Sequence, residues 1–180
     1  MLSFVEFWNR IYYSIYSIYV FVDRNICGKA IVFLICRPLY KLDFTKKRLK
    51  KYGMDTYEKW VDVINDTTGN PSSPFCLYFC SSAMALVTLG PILLCANILV
   101  IFCGEPIHSI IVGHYGAFFA ILCFIEFLFL YFILWKNDCY LRYFAEFQKE
   151  GRKKRIIWGL GVLFYSICIT IAWFRTLLLT

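Results

Sequence analysis

CLYFCSSAMALVTLGPILLCANILVIFC, running from Cys76 to Cys103, is 28 residues long and carries no charge. An α-helix crosses about 30 Å of hydrocarbon with roughly 20 apolar residues, so this stretch is long enough to span a membrane with some tilt. Two further blocks match it. Ile107 to Trp135 is 29 residues with one charge, Glu126, and Ile156 to Leu179 is 24 residues with one charge, Arg175. None alternates apolar and polar residues over short segments, as membrane β-strands do. Helices satisfy their own backbone hydrogen bonds in lipid and are the form expected here.

The whole chain agrees. Of its 180 residues, 60% are hydrophobic and only 17% charged, against roughly 45–50% and 25% in soluble domains. Three such helices inside a soluble protein would leave almost no polar surface to cover them. The fold class predicted is therefore an all-α integral membrane protein with three transmembrane helices and an additional N-terminal aromatic helix.

That N-terminal helix, Leu2 to Val22, admits two readings. Glu6, Arg10, Ser14 and Ser17 form one polar stripe at helical spacing, opposite Ile11, Ile15, Ile18 and Val22. A mild stripe of this kind favours a fourth span with its polar side toward the bundle. The alternative is an interfacial helix anchored by Tyr12, Tyr13, Tyr16 and Tyr19. Ala30 to Cys36 is too short to cross and should lie in the interface or beneath the bundle.

Charge sets the expected orientation. Ten basic residues fall between Arg24 and Lys59, including Lys46, Lys47, Arg48, Lys50 and Lys51. Seven fall between Lys136 and Arg155, ending in Arg152, Lys153, Lys154 and Arg155. The turn Gly104-Glu105-Pro106 holds none. Both basic segments then belong on the cytoplasmic side of a cytoplasmic-type membrane, as in a bacterial inner membrane. Each such cation near an anionic leaflet contributes roughly 1 kcal/mol of attraction to lipid headgroups. No nucleic-acid motif accompanies the basic runs, so specific nucleic-acid binding is not expected.

The organisation expected is an N-terminal membrane or interfacial segment over 1–38, a basic cytoplasmic segment over 39–74, and a three-helix region over 75–180. Within 39–74, Asp55 and Glu58 match a capping box, predicting a short helix to about Asn65 followed by a loop from Thr67. No Gly or Pro occurs from Ala117 to Glu150. One continuous helix is therefore predicted from about Ser109 to Lys149, its last turns extending into the cytoplasm near 136–150.

No catalytic motif, phosphate loop or nucleophile elbow is present, and no cofactor is implied. The nine cysteines sit in or beside apolar segments and read as small buried side chains in a reducing compartment. Only Cys76 and Cys80 are closely spaced, too few ligands for a metal site.

Glu126 is the most informative residue, since an ionisable group inside a membrane helix is costly and marks function by default. It lies nine residues from Trp135, about 14 Å deep. Counting inward along the other spans puts Thr88, Tyr165 and Ser166 at about 14–15 Å, so these are its candidate partners. The set reads either as an ion path, possible only with several copies in a chain this small, or as an interhelical hydrogen bond. Near the outer side, Asn97, His108, His114 and Arg175 form a second polar layer, with anchoring or ligand sensing as its two readings. Gly90-Pro91 interrupts the first span, freeing the carbonyl of Val87, and is a kink or a hinge. Gly113, Gly116, Ala117 and Ala120 offer a surface for close helix packing.

Two functions follow as expectations. One is a non-enzymatic subunit of a homo-oligomeric membrane assembly, of channel or pore type. The other is a membrane anchor or sensor that recruits a cytosolic partner through its basic face. A lipid-modifying enzyme is a weaker third, for want of a paired catalytic constellation.

Overall fold

The computed structural model describes residues 3–103 and 113–178, and every regular element among them is helical. In chain order these are α1 (Phe4–Val22), α2 (Gly28–Ile31), α3 (Arg37–Tyr40), α4 (Asp43–Lys51), α5 (Tyr57–Gly69), α6 (Pro74–Cys103), α7 (Tyr115–Leu130), α8 (Cys139–Phe147) and α9 (Arg152–Leu177). Three stretches, Tyr57–Cys103, Gly116–Phe147 and Arg152–Thr176, are long and apolar enough to cross a membrane. They contain the first block read from the sequence whole and most of the other two. The chain is thus a polytopic helical protein whose length and composition suit a membrane.

The chain groups into two compact units, Met1–Ile15 with Ser81–Thr180, and Tyr16–Cys80. The first boundary of this division falls at Ile15, within α1.

In the unit Tyr16–Cys80, helical backbone continues from α1 to α3 through two π-turns, Asp23–Cys27 and Val32–Cys36. Each closes a bond five residues back, Gly28 N–H to Asp23 O and Arg37 N–H to Val32 O. The first turn requires glycine, because a Cβ at position 28 would lie 2.6 Å from the Asp23 carbonyl oxygen. α4 follows, with Lys46, Lys47, Arg48, Lys50 and Lys51 all exposed. α5 corrects the predicted cap. Thr56, not Asp55, is the N-cap, its Oγ1 accepting from Lys59 N–H at 3.3 Å, while Asp55 pairs with the Lys59 ammonium at 3.6 Å. The helix also absorbs Thr67 to Gly69, expected to be loop. Thr67 and Thr68 keep their hydroxyls satisfied by donating back to the Val63 and Asn65 carbonyls, and the Tyr16 hydroxyl donates to the terminal Gly69 carbonyl. Tyr40 stacks on Trp60, meets Tyr57 edge-on and donates to Asp55 O, tying α3 to α5.

In the other unit, the single helix expected over 109–149 is broken. α7 ends in a π-turn, Tyr131–Trp135, and Asn137 and Asp138 then take left-handed conformations at φ 57° and 51°. Asn and Asp enter that region at low cost among non-glycine residues, so a break needs neither Gly nor Pro. Ser109, where the expected helix would start, lies outside the described residues. Beyond the break the apolar spacing holds. Tyr140, Phe144 and Phe147 are buried on α8 and pack edge-on or tilted against Tyr12 and Tyr13 of α1.

Candidate functional site

Glu126 projects from α7 and is 8% exposed. Of its three predicted partners, the structure brings one to it: the Thr88 hydroxyl of α6 donates to Glu126 Oε1 at 2.5 Å. The same hydroxyl lies 3.0 Å from Met84 O and 3.3 Å from Ala85 O, so it is held against its own helix as well. Ser166 instead donates to Val162 O one turn back on α9, at 2.8 Å. Tyr165 goes to the neighbouring break. Its hydroxyl donates to the Val87 carbonyl at 3.4 Å, the acceptor that Pro91 leaves without an intrahelical partner. α6 accordingly runs through Pro91 without interruption. Gly90 serves the same contact, since a Cβ there would sit 2.6 Å from Ile169 Cγ2 of α9. The polar layer and the proline site therefore act together as ties among α6, α7 and α9.

The outer layer is only partly assembled. Asn97 donates to Thr176 Oγ1 at 3.2 Å, joining α6 to α9. Arg175 is exposed, and His114 is exposed as the N-cap residue of α7. His108 lies outside the described residues. Gly113, Gly116, Ala117 and Ala120 are exposed, and a Cβ added at either glycine would meet nothing within 4 Å, so the small-residue surface is unused among the described residues.

Sequence reasoning missed the strongest polar cluster. Arg10 on α1 is 4% exposed, and its guanidinium forks onto Glu150, Nη1 to Oε2 at 2.6 Å and Nη2 to Oε1 at 2.8 Å. Glu6 sits 3.5 Å away, and Lys154 completes the set at 2.7 Å from Glu150 Oε1. The Arg10 guanidinium also lies 4.3 Å from the centroid of the Phe147 ring and 5.4 Å from that of Trp158, within cation–π range. The Arg10 and Lys154 charges hold the Glu150 carboxyl down at about 2. The available signal was two opposite-charge pairs spaced four residues apart, Glu6/Arg10 within α1 and Glu150/Lys154 at the start of α9. Nothing local showed that they join. Beside them Asn9, fully buried, donates to Ile133 O at 3.1 Å, within the π-turn that ends the apolar run after α7. Of the polar stripe of α1, Arg10 and Ser14 are buried while Glu6 and Ser17 are half-buried, and residues 9–15 are all buried.

Flanking the cluster is an apolar cavity of about 560 Å3, lined chiefly by Trp8 and Ile11 of α1, Val87 of α6, and Trp158, Gly161 and Tyr165 of α9. At the start of α9, Arg152, Lys153 and Lys154 are exposed and Arg155 is half-buried. Cys76 and Cys80 are both 1% exposed with their sulfurs 3.8 Å apart, whereas Cys95, Cys103, Cys123 and Cys168 are exposed. Among the described residues no three His, Cys, Asp or Glu side chains gather as a metal site would require. Comparison with protein-family models, with curated proteins and with solved structures finds no match.

Proposed function

We propose that the chain is a non-enzymatic subunit of a homo-oligomeric assembly in a bacterial-type cytoplasmic membrane, with its basic segments on the cytoplasmic side. One observation carries the reading. The apolar windows of the three spanning stretches are only 11%, 22% and 6% buried within the chain. Three helices leave most of that surface to lipid or to other copies. The exposed glycines and alanines at 113–120 allow a second helix to approach closely. Size-exclusion chromatography with multi-angle light scattering in mild detergent should give a discrete oligomer, and a monodisperse monomer would overturn the proposal.

The pore-type version of this reading has weaker support. Glu126 is engaged with Thr88 inside one copy, where it acts as a tie between helices. If it nevertheless lines a conducting path, Glu126→Gln alters ion flux in proteoliposomes. Flux equal to that of the unaltered protein removes the pore reading and leaves the assembly intact.

The contacts of α1 favour partial insertion over a fourth crossing. Phe4 and Trp8 meet Phe129, Asn9 meets Ile133, and Tyr13 meets Phe147. Phe129 lies six residues before Trp135, about 9 Å inward. A complete crossing would start near Tyr115, roughly 21 Å farther along α7. In this reading α1 enters the cytoplasmic leaflet and ends within it.

A second function has its own support. Five cations stand exposed along α4, and among the described residues only Lys46 has an acid within ion-pair distance, Asp43 at 3.9 Å. Such a face suits an acidic cytosolic partner or an anionic leaflet. Charge reversal at Lys47, Arg48 and Lys51 abolishes capture of the partner if the anchoring role holds, and undiminished capture counts against it.

A further inference from the structure

In the unit Tyr16–Cys80, a cleft of about 430 Å3 is lined by Val32, Phe33, Arg37, Tyr40, Lys41 and Tyr57. That volume falls within the roughly 300–1,000 Å3 of small-molecule sites. Four of the lining residues are apolar or aromatic, and the other two are cations. Hydrogen bonds fix the walls. The Val32 carbonyl accepts both Arg37 N–H, which closes the π-turn, and the Tyr57 hydroxyl at 3.1 Å, while Tyr40 donates to Asp55 O at 3.2 Å. Such π-turns recur at functional sites. Arg37 and Lys41 stand one helical turn apart, where like charges repel unless an anion lies between them. No carboxylate lines the cleft, and among the described residues neither cation makes an ion pair. The next acids along the chain are engaged elsewhere, Asp43 with Lys46 and Asp55 with Lys59.

We propose that this cleft binds the phosphate of an anionic phospholipid between Arg37 and Lys41, with Phe33 against the first carbons of its acyl chains. The inference rests on the membrane reading above. The lining joins cations to an apolar wall, a combination that a phosphate carrying hydrocarbon satisfies and a free phosphate does not. Arg37 and Phe33 are themselves neighbours, the guanidinium 5.7 Å from the ring centroid. The same stretch exposes Leu34, Ile35, Leu39 and Leu42 along with Phe33. At a membrane surface such side chains reach the acyl boundary while the arginine and lysine keep their charges at headgroup level. A guanidinium forks onto two phosphate oxygens, and the lysine ammonium adds a point charge.

The full chain is reconstituted in nanodiscs with equal phosphatidylglycerol and phosphatidylcholine, released into detergent, and examined by native mass spectrometry. Phosphatidylglycerol is retained in preference to phosphatidylcholine. Arg37→Gln and Lys41→Gln each lower that preference about fivefold, the effect of one cation at an anionic surface. Both side chains are exposed, so these variants keep the fold. Lys47→Gln with Lys51→Gln, on α4 and outside the lining, leaves the preference unchanged. An equal loss in the α4 variant would reduce the effect to diffuse charge and overturn the proposal. Retention without headgroup preference in the unaltered chain would overturn it too. So would displacement of the lipid by glycerophosphoglycerol, the same headgroup without acyl chains, which would assign the cleft to a soluble phosphate. Flotation with liposomes separates the two readings. A chain that floats but shows no preference refutes the headgroup site alone, and one that does not float refutes the membrane reading beneath it.

Discussion

Glu150→Ala should be among the most damaging single substitutions outside the membrane spans. It leaves the Arg10 guanidinium, 4% exposed, with only Glu6 at 3.5 Å and two aromatic faces to stabilise its charge. Removing one partner of a buried pair typically costs about 3–5 kcal/mol, because the remaining charge stays desolvated. The Glu150 carboxyl, lowered chiefly by its hydrogen bond from Arg10, gives a second view of the same interaction. Its fall from 4.5 to about 2 corresponds to roughly 3 kcal/mol of linkage. That carboxyl is depressed in the folded state, so its contribution is present above pH 4.5 and is lost as pH falls toward 2. The converse change is milder. Arg10→Met leaves Glu150 partly exposed and still paired with Lys154 at 2.7 Å, for a cost near 1 kcal/mol, and the double variant recovers most of the loss. Chemical unfolding in detergent micelles, followed by tryptophan fluorescence at pH 7 and pH 4, measures all three. A Glu150→Ala midpoint within about 0.5 kcal/mol of the unaltered protein, or an Arg10→Met cost exceeding that of Glu150→Ala, would refute the reasoning.

Gly90→Ala places a methyl 2.6 Å from Ile169 Cγ2 and should cost about 1–3 kcal/mol in the same unfolding assay, with partial recovery when Ile169 is shortened to Ala. Tyr165→Phe leaves the Val87 carbonyl unpaired and should cost about 1 kcal/mol, but nearly nothing in a Pro91→Ala background, where the restored N–H serves that carbonyl. Additive costs in that cycle would refute the pairing. An alkaline phosphatase reporter joined ahead of Met1 should remain inactive if α1 stops within the cytoplasmic leaflet, and activity would restore the fourth crossing.

The three apolar blocks were legible because crossing a membrane needs only length and the absence of charge, both local properties. Depth counting from the span ends also paired Glu126 with Thr88, since helices of similar tilt bring residues at equal depth together. It could not tell Thr88 from Tyr165 or Ser166, because depth fixes height and leaves rotation about the helix axis free. The break at Asn137–Asp138 was missed for a different reason: two residues tolerant of left-handed backbone can end a helix without Gly or Pro. The cap at Thr56 lay one residue from its expected place because Asp55 and Thr56 are both competent caps.

By itself, then, the sequence determined that the chain is helical, where its segments long and apolar enough to cross a membrane lie, and that its cations gather beside them. Those conclusions follow from composition along the chain and from the cost of exposing backbone or charge to lipid. Only the tertiary structure decided that Arg10 reaches Glu150 across 140 residues of chain, that Tyr165 serves the carbonyl freed by Pro91, and that Gly90 is required by Ile169. Each of these depends on which faces of separate helices meet, and helix packing selects those faces through side-chain shape that no local pattern records.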